Sequence, residues 1–246
     1  MNAAPVQIVE VIRRSTQGVT RPFICRGEDG HAYFVKGHGA GRHSLIAEYV
    51  CGKLAMAFGL PVADFQIVDV PPELIQENDI EGINDLGAGP AFGSRAVPHP
   101  QEFSVALLPA VNAPLRRDIL VFDWWVHNGD RNLTEQGGNP NLLWDQEAGK
   151  LAVIDHNQAF DPDFDRRRFR QTHVFHQDLS SIFDDMVERL GYQARLAEAF
   201  AEFDQACDTV PPEWWWVDHG VPADLDRDTL RATLLRYMGN DFWNMA

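Results

Sequence analysis

The sequence predicts an α+β protein of two lobes, β-rich at the N-terminal end with one prominent helix, and mainly helical at the C-terminal end around a β-hairpin. Three observations carry this. Before residue 100, short β-branched and aromatic runs alternate with turn residues, and one long stretch has helical apolar spacing. After it, helical spacing recurs almost to the C-terminus. Within that helical part, two strand-like segments at 141–144 and 151–154 flank a polar turn.

Residues 6–12 alternate and are rich in Val and Ile, which predicts a strand; residues 16–22 break it and 23–25 resume an extended pattern. Glu28-Asp29-Gly30-His31 supplies a turn, and 32–36 is the return strand. Small residues at Gly37, Gly39, Ala40 and Gly41 form a loop, after which Ser44 is placed to cap a helix through Leu45, Val50, Leu54 and Phe58 that ends at Gly59. Residues 65–70 read as a strand, 78–90 as a loop and 92–97 as a strand. Pro98 and Pro100 mark the change of organisation, so the N-terminal lobe is expected over 1–100 and the C-terminal lobe over 101–246. A helix from Pro114 through Val126 follows, with proline in its first turn. Beyond the hairpin, helices are expected over 179–190, 194–203 and 227–242.

The balance of 36 Asp and Glu against 21 Lys and Arg, a net charge of −15, argues against general nucleic-acid binding. No stretch is apolar for long enough to span a membrane and no signal peptide is evident, so a cytoplasmic protein is expected. Cys25, Cys51 and Cys207 are odd in number and scattered, which reads as buried thiols.

The chemistry concentrates in FDWWVHNGDRNLTEQGGNPNLLW and LAVIDH. Asp130 follows an apolar helix where a carboxylate would face a cleft and accept a hydroxyl proton. Asn141 and Asp155 stand at the two ends of the hairpin strands, so hard oxygen donors would converge there on Mg²⁺. Upstream, Lys36 closes an apolar strand and Glu48 lies on the helix after it, a pair suited to holding an ammonium against phosphate oxygens. Gly18 and Thr20, in a turn between strands, offer backbone N–H groups to a phosphate. Each residue alone has an ordinary structural reading: a strand end for Lys36, an Asx turn for Asp130, a helix cap for Asp155, a plain turn for Gly18. Their occurrence together in this order is what points to phosphoryl transfer. His127 and His156 beside the two aspartates raise a rival, a transition-metal hydrolase, with no HExxH-type spacing to support it. The tryptophans at 124–125 and 214–216 read as core packing, and the charge-segregated segment 161–168 as a solvated loop or a substrate contact.

Through TQGVTRPFIC, HAYFVKG, AEYVCGKLAMAFGLPVADFQIV and the two stretches above, about residues 16–160, the chain resembles the HipA-like kinases. These are distant relatives of the phosphatidylinositol 3- and 4-kinases within the protein-kinase-like fold. The resemblance implies one kinase domain using ATP and Mg²⁺, with Lys36 on the phosphates, Glu48 as its partner, Asp130 as catalytic base, and Asn141 and Asp155 as metal ligands. It implies a phosphoacceptor hydroxyl, most simply a protein serine or threonine. A small-molecule or lipid-headgroup kinase and a nucleotide-binding pseudokinase or scaffold are the alternatives. A toxin role does not follow from the resemblance, because the best-known HipA toxins carry additional N-terminal sequence. The interval from Asp130 to Asn141 is longer than in HRDxxxxN, with 134–138 resembling an insertion, which makes Asn132 and Asn139 rivals to Asn141. His156-Asn157 stands where protein kinases have Phe-Gly.

Overall fold

The computed structural model describes residues 4–16, 20–134 and 137–244. Strands β1 (Val6–Arg14), β2 (Phe23–Gly27) and β3 (Ala32–Lys36) are followed by helix α1 (Arg42–Phe58), strand β4 (Phe65–Val70), short helix α2 (Pro72–Gln76) and strand β5 (Gly89–Arg95). These strands close into a barrel in the order β1-β2-β3-β5-β4. The closing seam is parallel, with Val6 opposite Val68 and Gln7 opposite Asp69, while the other pairings are antiparallel. Ile8, Val11, Phe23, Cys25, Tyr33, Val35 and Val68 fill the interior, and a short turn at Ile83–Asp85 drops Ile83 and Leu86 in beside them.

Strand alternation decides where Lys36 goes. Tyr33 and Val35 belong to the barrel interior, so Lys36 falls on the opposite face. There it lies directly across from Phe92, which packs with α1 in a second, larger core. Helix α1 is buried along nearly its whole length, as expected of a helix that is apolar all round. Besides β5 it packs on α6 (Met186–Phe200), α7 (Phe203–Asp208) and the turn at Pro212–Trp215. It ends at Gly59, whose φ of 95° is the left-handed cap that glycine adopts without a Cβ penalty. Just beyond, Val153 donates its N–H to Pro61 and accepts from Ala63, tying the end of α1 to the later hairpin.

The rest of the chain is more helical. Strand β6 (Pro100–Glu102) leads to helix α3 (Ala113–Trp125), whose N-terminus is capped by Asn112 accepting from the Leu115 N–H at 2.9 Å. Strands β7 (Asn132–Thr134) and β8 (Gly137–Asn139) form a small hairpin. Strands β9 (Leu142–Asp145) and β10 (Lys150–Val153) form the larger one, with β6 on its edge. Then come α4 (Arg166–Thr172), α5 (Ser180–Phe183), α6, α7, a β11–β12 ribbon (Trp216–Asp218 and Val221–Pro222), α8 (Arg227–Leu235) and α9 (Asn240–Trp243). Trp124, Trp125 and Trp214 have no exposed surface, and each indole N–H donates to a backbone carbonyl. Cys25, Cys51 and Cys207 are free and buried. Among the described residues no helix is long and apolar enough to cross a membrane.

The α+β class agrees with the sequence, and several boundaries differ. Ser44 does not cap α1: the helix starts at Arg42 after Gly41, and Ser44 is a buried residue of its first turn. The strand expected at 92–97 runs earlier, because β5 pairs along all of β4 as far as Gly89 opposite Val70. The helix expected over 179–190 breaks at Asp184 and Asp185, where Asp185 accepts from the N–H groups of Val187 and Glu188 and starts α6 afresh. That helix then runs unbroken to Phe200, across the gap expected before 194.

Gly37, between Lys36 and α1, is irreplaceable for a steric reason. A Cβ there would stand 1.8 Å from the Leu86 carbonyl oxygen, a backbone atom that cannot swing aside. Gly37→Ala is expected to destabilise the protein by roughly 1–3 kcal/mol, the usual cost of forcing an overpacked site, read from the urea unfolding midpoint. An unchanged midpoint would mean that the Leu86 segment yields freely.

Candidate active site

The Lys36 ammonium is enclosed between two carboxylates brought from distant parts of the chain. It donates to Glu48 Oε1, from α1, and to Asp155 Oδ1 at 2.7 Å, from the residue pair beyond β10. The other Glu48 oxygen accepts the His156 N–H at 2.8 Å, so Glu48 bridges the β3 lysine to the chain leaving the large hairpin. Burial opposes the charge on Lys36, yet Glu48 and Asp155 hold its pKa above the ordinary lysine value. Burial pushes Glu48 up to about 7 against the pull of Lys36. Asp155 is also desolvated, but Lys36 keeps its carboxyl below the ordinary range.

Asp130 lies at the other side of the hairpin mouth. Its Oδ2 accepts from Asn139 Nδ2 at 2.9 Å and from Asn141 Nδ2 at 3.0 Å, and its backbone carbonyl accepts from Asn132 Nδ2 at 2.9 Å. Within the stretch that looked like an insertion, Thr134, Gly137 and Gly138 belong to the paired strands β7 and β8, and that pairing sets Asn139 opposite Asn132. All three asparagines therefore gather on Asp130, Asn141 buried and Asn139 exposed. Burial raises the Asp130 pKa, the amide bonds lower it, and the nearby charge of Asp155 raises it further.

A buried node holds these groups in place. Arg131, with no exposed surface, donates from Nε to Asp123 Oδ2 at 2.7 Å and from Nη1 to the carbonyls of Pro140, Asn141 and Ile154. One guanidinium thus grips both strands of the hairpin at its open end. Asp123 also accepts from Asn128 and bonds His173 Nε2 at 3.0 Å. Burial works against the Asp123 charge, but Arg131 and His173 hold its carboxyl well below the usual carboxylate range. The sequence reading missed Asp123 and His173. A signal was present: an aspartate between Phe122 and Trp124 on an apolar helix requires a buried partner.

Asn141 and Asp155 have φ of 49° and 59°, a left-handed conformation that side chains rarely take and Asn and Asp tolerate best. Arg21, His99, His127 and Phe160 share positive φ, so the conformation marks constrained backbone and does not by itself mark a site. Gly18 lies outside the described residues. Thr20 stands half-buried before β2, and the hydrogen bonds uniting Lys36, Glu48 and Asp155 do not include it.

The donor set suits a hard divalent cation. Asp130 and Asp155 feel each other's charge, Glu48 adds a third carboxylate, and Lys36 supplies one compensating cation. Carboxylate and amide oxygens of Asp155 and Asn141 are the ligand types that Mg²⁺ takes. The transition-metal alternative finds no such support. The His127 ring stacks on Phe164 at 4.5 Å and the His156 ring meets Phe122 edge to face. Among the described residues no three His, Cys, Asp or Glu side chains are grouped so as to hold a metal ion by themselves, so a cation at Asp155 would also need the Asn141 oxygen and oxygens from outside the chain.

The family model described as HipA-like kinase matches residues 8–246. No curated protein matches the chain. Among solved structures, the proinflammatory kinase CtkA of Helicobacter pylori superimposes with a TM-score of 0.54 at 10% identity, over 98% of this chain and 97% of that one. It shares the kinase-like α+β fold. The open conformation of CtTel1 aligns with a TM-score of 0.33 at 14% identity, over 92% of this chain and 11% of that one.

The buried node also sets an acid limit. Burial lowers the pKa of His173 and takes that of His127 to about 3, so with Asp123 these groups bind fewer protons folded than unfolded. Their contribution to stability therefore rises with pH, opposed in part by Glu48 and Asp130, whose raised pKa values make them bind more protons folded than unfolded. The histidine share is present above the unfolded value of about 6.5 and is lost as pH falls, and the Asp123 share is lost below about 3.9. The melting temperature is expected to fall steadily between about pH 7 and about pH 4. A flat profile over that interval would show that the imidazoles do not outweigh Glu48 and Asp130.

Proposed function

The chain belongs to the HipA-like kinase family, and from that premise we propose that it transfers the γ-phosphoryl group of ATP, with Mg²⁺, to a serine or threonine hydroxyl of a protein. The observation that carries this reading is the single ammonium of Lys36 held between Glu48 and Asp155, with Asp130 and its asparagines across the hairpin mouth. A charge enclosed in this way is costly to bury and is suited to meeting phosphate oxygens in a fixed place.

In this reading Lys36 presents its charge to the phosphates while Glu48, itself anchored by the His156 N–H, keeps the ammonium from turning away. Asp130 orients the acceptor hydroxyl and takes its proton as the hydroxyl oxygen bonds to the γ-phosphorus. The bond from that phosphorus to the β,γ-bridging oxygen breaks, and ADP leaves. The two amide donors on Asp130 Oδ2 fix the carboxylate plane for this task. Asp155 and Asn141 would hold Mg²⁺, with Asn139 and Asn132 alongside. When bound, Mg²⁺ offsets the charge of the β- and γ-phosphate oxygens.

Asp130→Ala is expected to lower kcat by roughly 10²–10⁴-fold, the usual worth of a general base, with ATP affinity nearly unchanged. Phosphate transfer from γ-labelled ATP and calorimetry read the two quantities, and transfer near the wild-type rate removes Asp130 from this role. Asp155→Asn is expected to raise the Mg²⁺ concentration for half-maximal nucleotide binding about ten- to a hundredfold, equivalent to roughly 1.5–3 kcal/mol for one charged contact. An unchanged Mg²⁺ titration would take the metal away from Asp155. ATP binding without Mg²⁺, together with no transfer even to the chain itself, would identify a nucleotide-binding scaffold.

A further inference from the structure

Among the described residues, nine of the 18 arginines lie within ion-pair distance of a carboxylate, Arg26, Arg116, Arg131, Arg195, Arg227 and Arg231 among them. Helix α4 gathers four of the other nine on one short segment. Its sequence RRRFRQT exposes Arg167, Arg168 and Arg170, and among the described residues no carboxylate lies within ion-pair distance of any of them. Asp165, the nearest acid in sequence, spends Oδ1 on the backbone N–H groups of Arg167 and Arg168 as the helix cap. An open hollow of about 300 Å³ is lined by Arg167, Arg170 and Gln171.

The helix is rigidly mounted beside the candidate active site. Phe169 is buried against Trp124, Phe164 and His173, and Arg166 lies over Trp124 while donating to the carbonyls of Asp241 and Asn244. Its C-terminal end runs into His173, which bridges to Asn132, and Val174, whose N–H donates to the Arg131 carbonyl. Summed at the usual rises per residue, the separation of Asp130 from Arg170 along this route is roughly 16 Å. An extended peptide covers that distance in about five residues.

From the unpaired arginines, the hollow and their placement we propose that α4 docks the protein substrate, binding acidic side chains that lie within about five residues of the phosphoacceptor. This rests on the protein-kinase reading for its purpose, but not for its measurement. Against a surface of net charge −15, a local cluster of guanidinium groups is where an acidic segment finds attraction. A nucleic acid would need a longer run of positive contacts than α4 offers.

The test uses the full chain and fluorescein-labelled peptides carrying one serine with four glutamates on one side, the same peptide with lysines, and a single-stranded oligonucleotide. Anisotropy at about 50 mM salt is expected to show the glutamate peptide binding about tenfold more tightly than the lysine peptide, with the preference shrinking at about 500 mM. Arg167→Glu with Arg170→Glu is expected to reverse the preference while leaving thermal unfolding and ATP binding unaltered. Arg167→Gln with Arg170→Gln, expected to abolish it, serves if the reversal disturbs folding. Equal binding of both peptides, indifference to these substitutions, or tighter binding of the oligonucleotide overturns the proposal. Glutamate-peptide binding without phosphate transfer to any hydroxyl would leave the docking surface standing and remove the kinase reading. Transfer without glutamate preference would do the reverse.

Discussion

A guanidinium wholly removed from water is expensive unless its charge is paired, and Arg131 meets one carboxylate and three carbonyls through Nε and Nη1, its buried Nη2 being left without a partner. The partners come from α3, from the segment between the two hairpins, and from the exit of β10. Among the described residues no other side chain hydrogen-bonds to all three. Because Arg131 follows Asp130 directly, the position of that carboxylate is set by the same contact that holds Asn141 and Ile154 together. His173 extends the node to the chain after α4. Rigidity here comes from desolvation: any movement that opens the cluster exposes neither partner to enough water to offset the lost pairing.

Helix α1 provides the second constraint. It precedes residue 60, yet its buried face belongs to the same core as α3 and the C-terminal helices, while the barrel keeps a core of its own. The helix carrying Glu48 therefore moves only if packing on both sides changes. The Pro61–Val153 and Ala63–Val153 hydrogen bonds tie its end to the hairpin that leads to Asp155. Lys36 is held between two parts of the structure that are already linked mechanically, which makes its ion pairs a consequence of packing as much as its cause.

Local features were legible in the sequence, and distant ones were not. The large hairpin could be read from alternation around a polar turn, and α3 from its proline and apolar spacing. Lys36, Asp130, Asn141 and Asp155 could be singled out because each is a polar group at the end of an apolar segment, and Glu48 because it lies on the helix that follows Lys36. Their gathering into one mouth depends on pairings such as β1 with β4, some 60 residues apart and invisible to any local pattern. Asp123 and His173 were missed for the same reason: they are 50 residues apart and make sense only as a pair. The break before α6 was overlooked because helical apolar spacing continued across it, and the capping chemistry of Asp185 outweighed that spacing. Ser44 was misread because a hydroxyl near a helix start resembles a cap, whereas Gly41 allowed the helix to begin earlier without one.

The left-handed backbone at Asn141 and Asp155 has a consequence for how this protein would change over time. Glycine is the residue best suited to both conformations, so each site holds a side chain at a cost to the fold. Selection for folding alone would drift both positions toward glycine, and under the proposed metal-binding role selection for their oxygens opposes that drift. The two positions therefore act as a record of use: a descendant released from its chemistry would be expected to lose these side chains early and to grow more robust as it did so.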